Sequence, residues 1–346
     1  MASTPRPLGV ALVGYDGVGT QNHQFDMYER GLSAHPAFEI RAVTDAPVVR
    51  DDRRRFASEA ADRLGVPYVE DLEAALRRED IDVLSVCVGF DQRVPVIQQA
   101  AARGKHVLVD KPMALELEEV DAIDRATRDG AINCVPAHHH RFLDEVVAAR
   151  DLFRGSVLGE LVAVHADFIV TRGATRATFG DPEVWPLGEL MNFAVYPIDV
   201  IRAATGLEVR RVHGSRGGFF YGGEDDEDLG VLTLTLDRDV LATVTVGRAP
   251  ITGHPSGGEH RYRFVGSDDL LVLDLKRAAA RISTAERTWQ SPYLTGSNSV
   301  VAMLDELHHA ITEGRSARIG PDDARVGLAA TLAARRSAEE GRVVSL

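Results

Sequence analysis

The sequence predicts an α/β protein in two parts, a doubly wound parallel sheet followed by an α+β domain, and three observations carry that expectation. In the first third, short runs that are apolar throughout alternate with segments of helical spacing, the pattern of strands covered on both faces. Beyond about residue 150 the runs switch to apolar/polar alternation, as antiparallel strands with one wet face do. The chain has 346 residues, 45% apolar and 26% charged, enough for two sizeable cores.

Taken in order, Gly9–Gly14, Phe38–Thr44, Val83–Val88, His106–Val109 and Ile132–Val135 read as buried strands. Arg53–Leu64, Asp71–Arg78 and Arg93–Arg103 place apolar residues at helical spacing between them. In the second half, Leu161–Thr171, Val209–Ser215, Gly230–Leu236, Leu241–Gly247, Arg261–Val265 and Leu270–Leu275 alternate as half-buried strands. Gly188–Ala204 reads as helix, bent or shortened at Pro197, which lacks a backbone donor. The acidic run Glu224–Asp228 reads as a solvated loop, and no repeat or low-complexity tract is present.

Composition narrows the partners. A net charge of −13 argues against nucleic acid and anionic membranes, which leaves small polar molecules. Cys87 and Cys134 both lie in apolar strand-like runs and read as buried thiols of a reducing compartment, not as a disulfide or metal framework. Met1–Pro7 has no apolar signal core and no stretch approaches ~18 uninterrupted apolar residues, so a cytoplasmic protein is expected.

The first strand runs into Gly14-Tyr15-Asp16-Gly17-Val18-Gly19 and then a helix-like segment. Such a turn lets backbone amides and a helix N-terminus face a pyrophosphate. Gly14 and Gly19 fill the first and third places of G-x-G-x-x-G, while Asp16 takes the middle one. A carboxylate there repels phosphate unless the chain swings it outward, and Gly17 supplies that slack. Asp45, at the end of the second strand, stands where a dinucleotide site places the acid for the adenosine ribose hydroxyls. An acid disfavours a 2′-phosphate and so favours NAD; Arg50 and Arg53–Arg55 keep NADP open, and a simple loop-capping aspartate is the alternative.

Only three lysines occur, Lys105, Lys111 and Lys276, against thirty-six arginines. Where Arg is so favoured, Lys111 in Asp110-Lys111-Pro112 suggests a need for an ammonium, which can hold or pass a proton as guanidinium cannot; a chance surface lysine is the alternative. If residues 188–204 are helical, Asn192, Tyr196 and Asp199 fall on one polar stripe, facing either a site or water. His138-His139-His140 invites a metal, but in a strand only alternate members share a face and no companion Cys or Glu pattern lies nearby, so no metal is expected.

Together these segments resemble the Gfo/Idh/MocA oxidoreductases. The resemblance rests on the glycine-rich first strand, Gly104-Lys105-His106-Val107-Leu108-Val109-Asp110-Lys111-Pro112, Ala137–Phe142, Gly188…Asn192…Tyr196-Pro197-Ile198-Asp199, and the closing segment Asp322–Val344. It implies a Rossmann domain over residues 1–136 and an α+β domain over 137–346 with an open, mostly antiparallel sheet, its last helix packing back on the first domain. It also implies NAD(P)-dependent interconversion of alcohol and carbonyl on sugars, cyclitols or related polyols, in a homodimer or homotetramer formed through the C-terminal sheet. Lys111 would stand near the nicotinamide and the reacting hydroxyl, after a peptide bond to Pro112 that can be cis, with Tyr196 as general acid/base and Asn192 orienting the substrate.

The resemblance places Gly14, Asp16, Gly17, Val18, Gly19, Asp45, Val88, Gly89, Arg93, Asp110, Lys111 and Pro112 at the cofactor. It places Lys111, His139, Arg141, Arg172, Trp185, Asn192, Tyr196 and Asp199 at the substrate. Two departures stand out: Asp16 in the glycine turn, and Val88-Gly89-Phe90 followed by Arg93, where the family commonly has Thr-Pro-Asn and then His. They favour a second reading, a dinucleotide-binding sensor with little turnover. Lys111 and Tyr196 favour the enzyme.

Overall fold

The computed structural model describes residues 6–15, 22–171, 187–221, 227–251, 257–276, 279–283, 288–290 and 299–346. Packing divides the chain into two compact units, Met1–Ala137 with Val300–Arg325, and His138–Ser299 with Val326–Leu346. The sequence predicts a division at 136/137 with the last helix packing back on the first domain; by packing, residues 300–325 group with the first unit.

In the first unit the strands are β1 (Leu8–Val13), β2 (Phe38–Thr44), β3 (Tyr68–Val69), β4 (Val83–Val86), β5 (His106–Val109) and β6 (Cys134–Pro136). They form one sheet in the order β3-β2-β1-β4-β5-β6, every pair parallel. Parallel strands need helical crossovers. These are α1 (Glu29–Ala34), α2 (Asp51–Leu64), α3 (Leu72–Leu76), α4 (Phe90–Ala102) and α5 (Leu117–Asp129). Val10 to Val13, Val83, Leu84, Val86 and Val107 to Val109 are all essentially inaccessible, each buried aliphatic side chain contributing about 1.5–3 kcal/mol. The strand order reverses between β1 and β4, and ligands of such sheets bind beyond the strand ends at that reversal.

Two local features explain the returning segment. His35 Nε2 pairs with Asp305 Oδ1 at 2.8 Å, and a Cβ on Gly31 would sit 2.8 Å from Val300, so the helix α9 (Ser299–Thr312) lies directly on α1. Beyond it Arg325 Nε donates to Asp121 Oδ1 at 2.7 Å.

The second unit starts with a 3₁₀ turn over His139–Phe142 and α6 (Asp144–Arg154). Its strands are β7 (Leu161–Val170), β8 (Val209–Gly217), β9 (Leu229–Leu236), β10 (Leu241–Arg248), β11 (Gly258–Gly266), β12 (Leu270–Asp274), β13 (Ala279–Ser283), β14 (Thr288–Gln290) and β15 (Val344–Ser345). The sheet order is β14-β13-β12-β11-β7-β10-β9-β8-β15, antiparallel except where β7 runs parallel to β10. Alternation decides the faces: Val164, Ala166 and Phe168, Leu232 and Leu234, Val244 and Val246, and Tyr262 and Phe264 form one core with Val146, Ile198 and Ile201.

Residues 188–204 split into α7 (Glu189–Phe193) and α8 (Val195–Thr205), broken at Ala194 as Pro197 demands. Both are buried around most of their circumference, which excludes the reading of a stripe facing water. The remaining helix is α10 (Pro321–Glu340). Among the described residues no helix is long and apolar enough to cross a membrane.

Gly14, at the exit of β1, has φ +73°, and a Cβ there would lie 2.7 Å from Val88 Cγ1 and 2.8 Å from the Cys87 carbonyl oxygen. The switch point therefore has no room for a side chain. Gly14→Ala should cost about 1–3 kcal/mol of stability through left-handed strain and displacement of β4, read as a lower midpoint in urea unfolding of the full chain.

Candidate active site

In the first unit β5 delivers the chain at Val109 into Asp110-Lys111-Pro112, and the Lys111–Pro112 peptide is cis. Asp110 and Lys111 are 3% and 2% exposed. The Asp110 carboxylate accepts from Tyr28 Oη at 2.6 Å and faces His23 Nδ1 at 2.9 Å, Arg93 Nη2 at 3.5 Å and Cys87 Sγ at 3.8 Å. Burial by itself would raise its pKa, but the His23, Arg93 and Lys111 charges outweigh burial and hold it below the usual carboxylate range. Arg93 does a second job with the same guanidinium: Nη1 donates to the Asp110 carbonyl at 2.7 Å and to the Pro112 carbonyl, and so brackets Lys111 from both sides. Just downstream, Glu119 Oε2 accepts from the amides of Leu115 and Glu116 at 3.0 and 3.1 Å, fixing the start of α5.

At the reversal of the sheet Gly14 lies against Val88, and Gly89 is the N-cap of α4. Asp45 follows β2, 1% exposed, with Oδ2 accepting from Tyr68 Oη at 2.7 Å. Burial and that bond to Asp45 push the Tyr68 phenol up to about 12. Tyr15, after Gly14, is anchored through Oη to Glu29 at 2.7 Å, and Glu29 in turn pairs with Arg63. Asp16, Gly17, Val18 and Gly19 lie outside the described residues, as do Arg172, Arg176 and Trp185.

In the second unit Asp199 on α8 is 2% exposed and holds Arg141 through both oxygens, Nε at 2.9 Å and Nη2 also bonded, with His138 Nδ1 at 3.3 Å. Burial raises its pKa and the Arg141 and His138 charges more than reverse that, so it stays below the ordinary range. Tyr196, one turn earlier, stacks on Phe168 with centroids 5.1 Å apart and lies 4.6 Å from the His140 ring and 5.8 Å from the His139 ring. His260, paired across the sheet with Phe168, stacks on that ring at 3.8 Å. Burial keeps the His260 imidazole well below its ordinary pKa, hence neutral. Asn192 Nδ2 donates to Glu189 Oε2 at 3.2 Å, and Glu189 Oε1 takes Arg248 Nε at 2.8 Å in an ion pair with no exposure on either side.

Several of the expected site residues hold protein partners. Arg93 and Asp110, expected at the cofactor, turn their polar atoms toward each other and toward the chain around Lys111, because a buried charge must be matched at close range. Arg141 and Asp199, expected at the substrate, are each other's partners. His139 bonds Ser299 Oγ at 2.7 Å from within a 3₁₀ turn and not a strand, so the alternate-face argument for the three histidines does not apply. Among the described residues no group of three or more His, Cys, Asp or Glu side chains is placed to hold a metal.

Residues not singled out from the sequence also build these regions: His23, Tyr28, Phe168, Glu189, Arg248 and His260. Two had a signal. Arg248 and His260 fall on the inward parity of β10 and β11, where a polar residue needs a buried partner or a site.

A doubly wound parallel sheet with a tight glycine at its switch point, an acid after the second strand and a buried lysine after the fifth defines a dinucleotide-dependent oxidoreductase. The chain belongs to the Gfo/Idh/MocA family: residues 8–136 match its oxidoreductase model with an NAD-binding Rossmann fold, and residues 146–272 match its C-terminal domain. It is 27% identical over 258 residues to dTDP-3,4-didehydro-2,6-dideoxy-alpha-D-glucose 3-reductase of Streptomyces violaceoruber, covering 69% of this chain and 68% of that one. It is 22% identical over 324 residues to myo-inositol 2-dehydrogenase of Thermotoga maritima, covering 89% and 91%. Levoglucosan dehydrogenase in complex with NADH and levoglucosan shares the fold with a TM-score of 0.83 at 17% identity, covering 99% of each chain.

Because Asp199 stays ionised below the ordinary range, its stabilisation is present above the unfolded-state value of ~3.9 and is lost as pH falls through its lower folded value. Arg141→Met should therefore lower stability by about 3–5 kcal/mol near neutral pH, the deficit shrinking toward pH ~4 as the stranded carboxyl protonates. Thermal unfolding of both proteins across that range measures it.

Proposed function

We propose that this protein interconverts an alcohol and a carbonyl on a sugar, cyclitol or related polyol, with NAD as cofactor and with Lys111 and Tyr196 handling the proton. The observation that carries this reading is a lysine only 2% exposed at the exit of β5, in a chain whose cations are otherwise nearly all arginine. The relatives named above act on a deoxysugar nucleotide and on inositol by their names, which supports a polyhydroxylated substrate.

The described residues fit a dinucleotide. Gly14 leaves no side chain at the switch point, Gly89 opens α4 beside it, and Asp45 stands after β2 with its orientation fixed by Tyr68. When bound, NAD accepts or returns the hydride. Asp45 would hold the adenosine ribose hydroxyls and repel a 2′-phosphate, so NAD should stabilise the protein more than NADP at equal concentration.

Lys111 donates to the reacting oxygen, and its ammonium stabilises negative charge there as the C–H bond breaks. Tyr196 accepts the hydroxyl proton in oxidation and returns it to the carbonyl oxygen in reduction. Oxidation releases a proton and reduction consumes one, so oxidation should gain on reduction as pH rises. Asn192, held by Glu189, orients the substrate and cannot take a proton.

The test is thermal shift with NAD and NADP, then a screen of cyclitols and sugars for nicotinamide absorbance change. Lys111→Met and Tyr196→Phe should each lower kcat by about 10²–10⁴-fold while NAD still raises the melting temperature. Full turnover by Lys111→Arg, or no stabilisation by either dinucleotide, would sink the assignment.

We also propose association of two copies through the open face of the second unit's sheet, where Val231 and Leu241 are 41% and 57% exposed. Light scattering should give the dimer mass or a multiple for the parent chain and the monomer mass for Val231→Lys combined with Leu241→Lys.

A further inference from the structure

Lys111 is tethered through its neighbour Asp110, and the tether begins at the exit of the glycine turn. Gln24–Tyr28, just ahead of α1, is one π-helical stretch in which the Glu29 amide donates to the Gln24 carbonyl. Such wide turns inside helices are rare and recur at functional sites. This one brings residues five apart onto a single atom: His23 Nδ1 and Tyr28 Oη both meet Asp110 Oδ1, at 2.9 and 2.6 Å, their rings edge to face at 6.4 Å. An ionised carboxylate only accepts, so Nδ1 carries the proton and both groups are donors.

The other carboxylate oxygen faces Arg93 from α4 and Cys87 from the end of β4. Lys111 stands beside them and, like His23 and Arg93, favours the ionised carboxylate. The π stretch is itself locked to β4, because Gln24 Nε2 donates to the Ser85 carbonyl at 2.8 Å and Ser85 Oγ donates to Gln24 Oε1 at 2.7 Å. Directly before His23, Asn22 donates its amide to the Tyr15 carbonyl and accepts from the Phe25 amide at 3.0 Å. Tyr15 and Asn22 are thus fastened together one residue from the Asp110 contact.

We propose that His23 and Tyr28 are positioning residues for Lys111: two donors from the segment leaving the dinucleotide turn hold Asp110 Oδ1, and so set the orientation of that carboxylate and the charge it presents to the lysine. The inference rests on Lys111 as the proton-handling group, and it adds a physical connection from the cofactor turn to that group. Removing either donor leaves more of the anionic charge for the ammonium, which then holds its proton to higher pH.

Lysine labelled with ¹³C at Cε gives three signals from this chain, assigned with Lys105→Arg and Lys276→Arg, so the titration of Lys111 is read by NMR without any substrate. In Tyr28→Phe, which removes one oxygen, and in His23→Ala, the Lys111 midpoint should move up by about half a pH unit or more. In His23→Asn, whose side-chain amide can stand where Nδ1 does, it should return toward the parent value. With the polyol found in the absorbance screen, kcat should fall in the first two variants and KM should stay within about twofold.

An unmoved midpoint in both Tyr28→Phe and His23→Ala, in protein with a parent-like unfolding transition, overturns the proposal. That result beside an inactive Lys111→Met would leave the lysine's own role standing. A moved midpoint beside a fully active Lys111→Met would uphold the positioning and overturn the proton-handling reading instead.

Discussion

A carboxylate taken out of water costs several kcal/mol unless donors and cations meet it at close range, and each unit of this protein is arranged around one such group. In the first unit it is Asp110, met by His23, Tyr28, Cys87 and Arg93. In the second it is Asp199, met by Arg141 and His138. Each lies next to the side chain proposed for chemistry, by one residue at Lys111 and by one helical turn at Tyr196. The satisfied carboxylates fix backbone and rotamers, and the reactive groups inherit that order. Glu189 with Arg248 extends the logic to Asn192.

Much of the fold was legible because burial imposes a period. Runs apolar on both faces gave the parallel strands, and alternation gave most strands of the second sheet. What escaped was short or cooperative. The two-residue β3 and β15 carry too few side chains to show a period, and the return of residues 300–325 depends on contacts such as His35 with Asp305 that span most of the chain. The helix α4 starts at Phe90, three residues before the expected Arg93, because its apolar stripe does not reveal where Gly89 caps it.

The candidate site was legible in its residues and less so in their partners. Lys111 stood out by composition, Tyr196 and Asp199 by spacing. Arg93, Asp110, Arg141 and Asp199 were expected at ligands, and each also has a protein partner that the sequence did not reveal. From sequence a charged side chain announces only that it needs a counterpart; whether that is a ligand or another side chain depends on elements dozens of residues away. The lysines make the same point from the other side. Lys105 donates to the carbonyls of Arg78 and Ile81, a structural task at a turn, although it stands six residues from Lys111 in the same motif.

The π-helical stretch is one residue longer than the α-helical path it replaces. In a regular α-helix residues five apart stand about 140° from each other, so His23 and Tyr28 could not share an oxygen. A single-residue insertion between them would set them six apart, about 120° from each other in a regular α-helix, and would be silent by any measure of helix content. It would still part the two donors. The register of this helix is thus specified from outside, by an anion at the end of a neighbouring strand, and an insertion that a surface helix absorbs would here be read as a change in electrostatics.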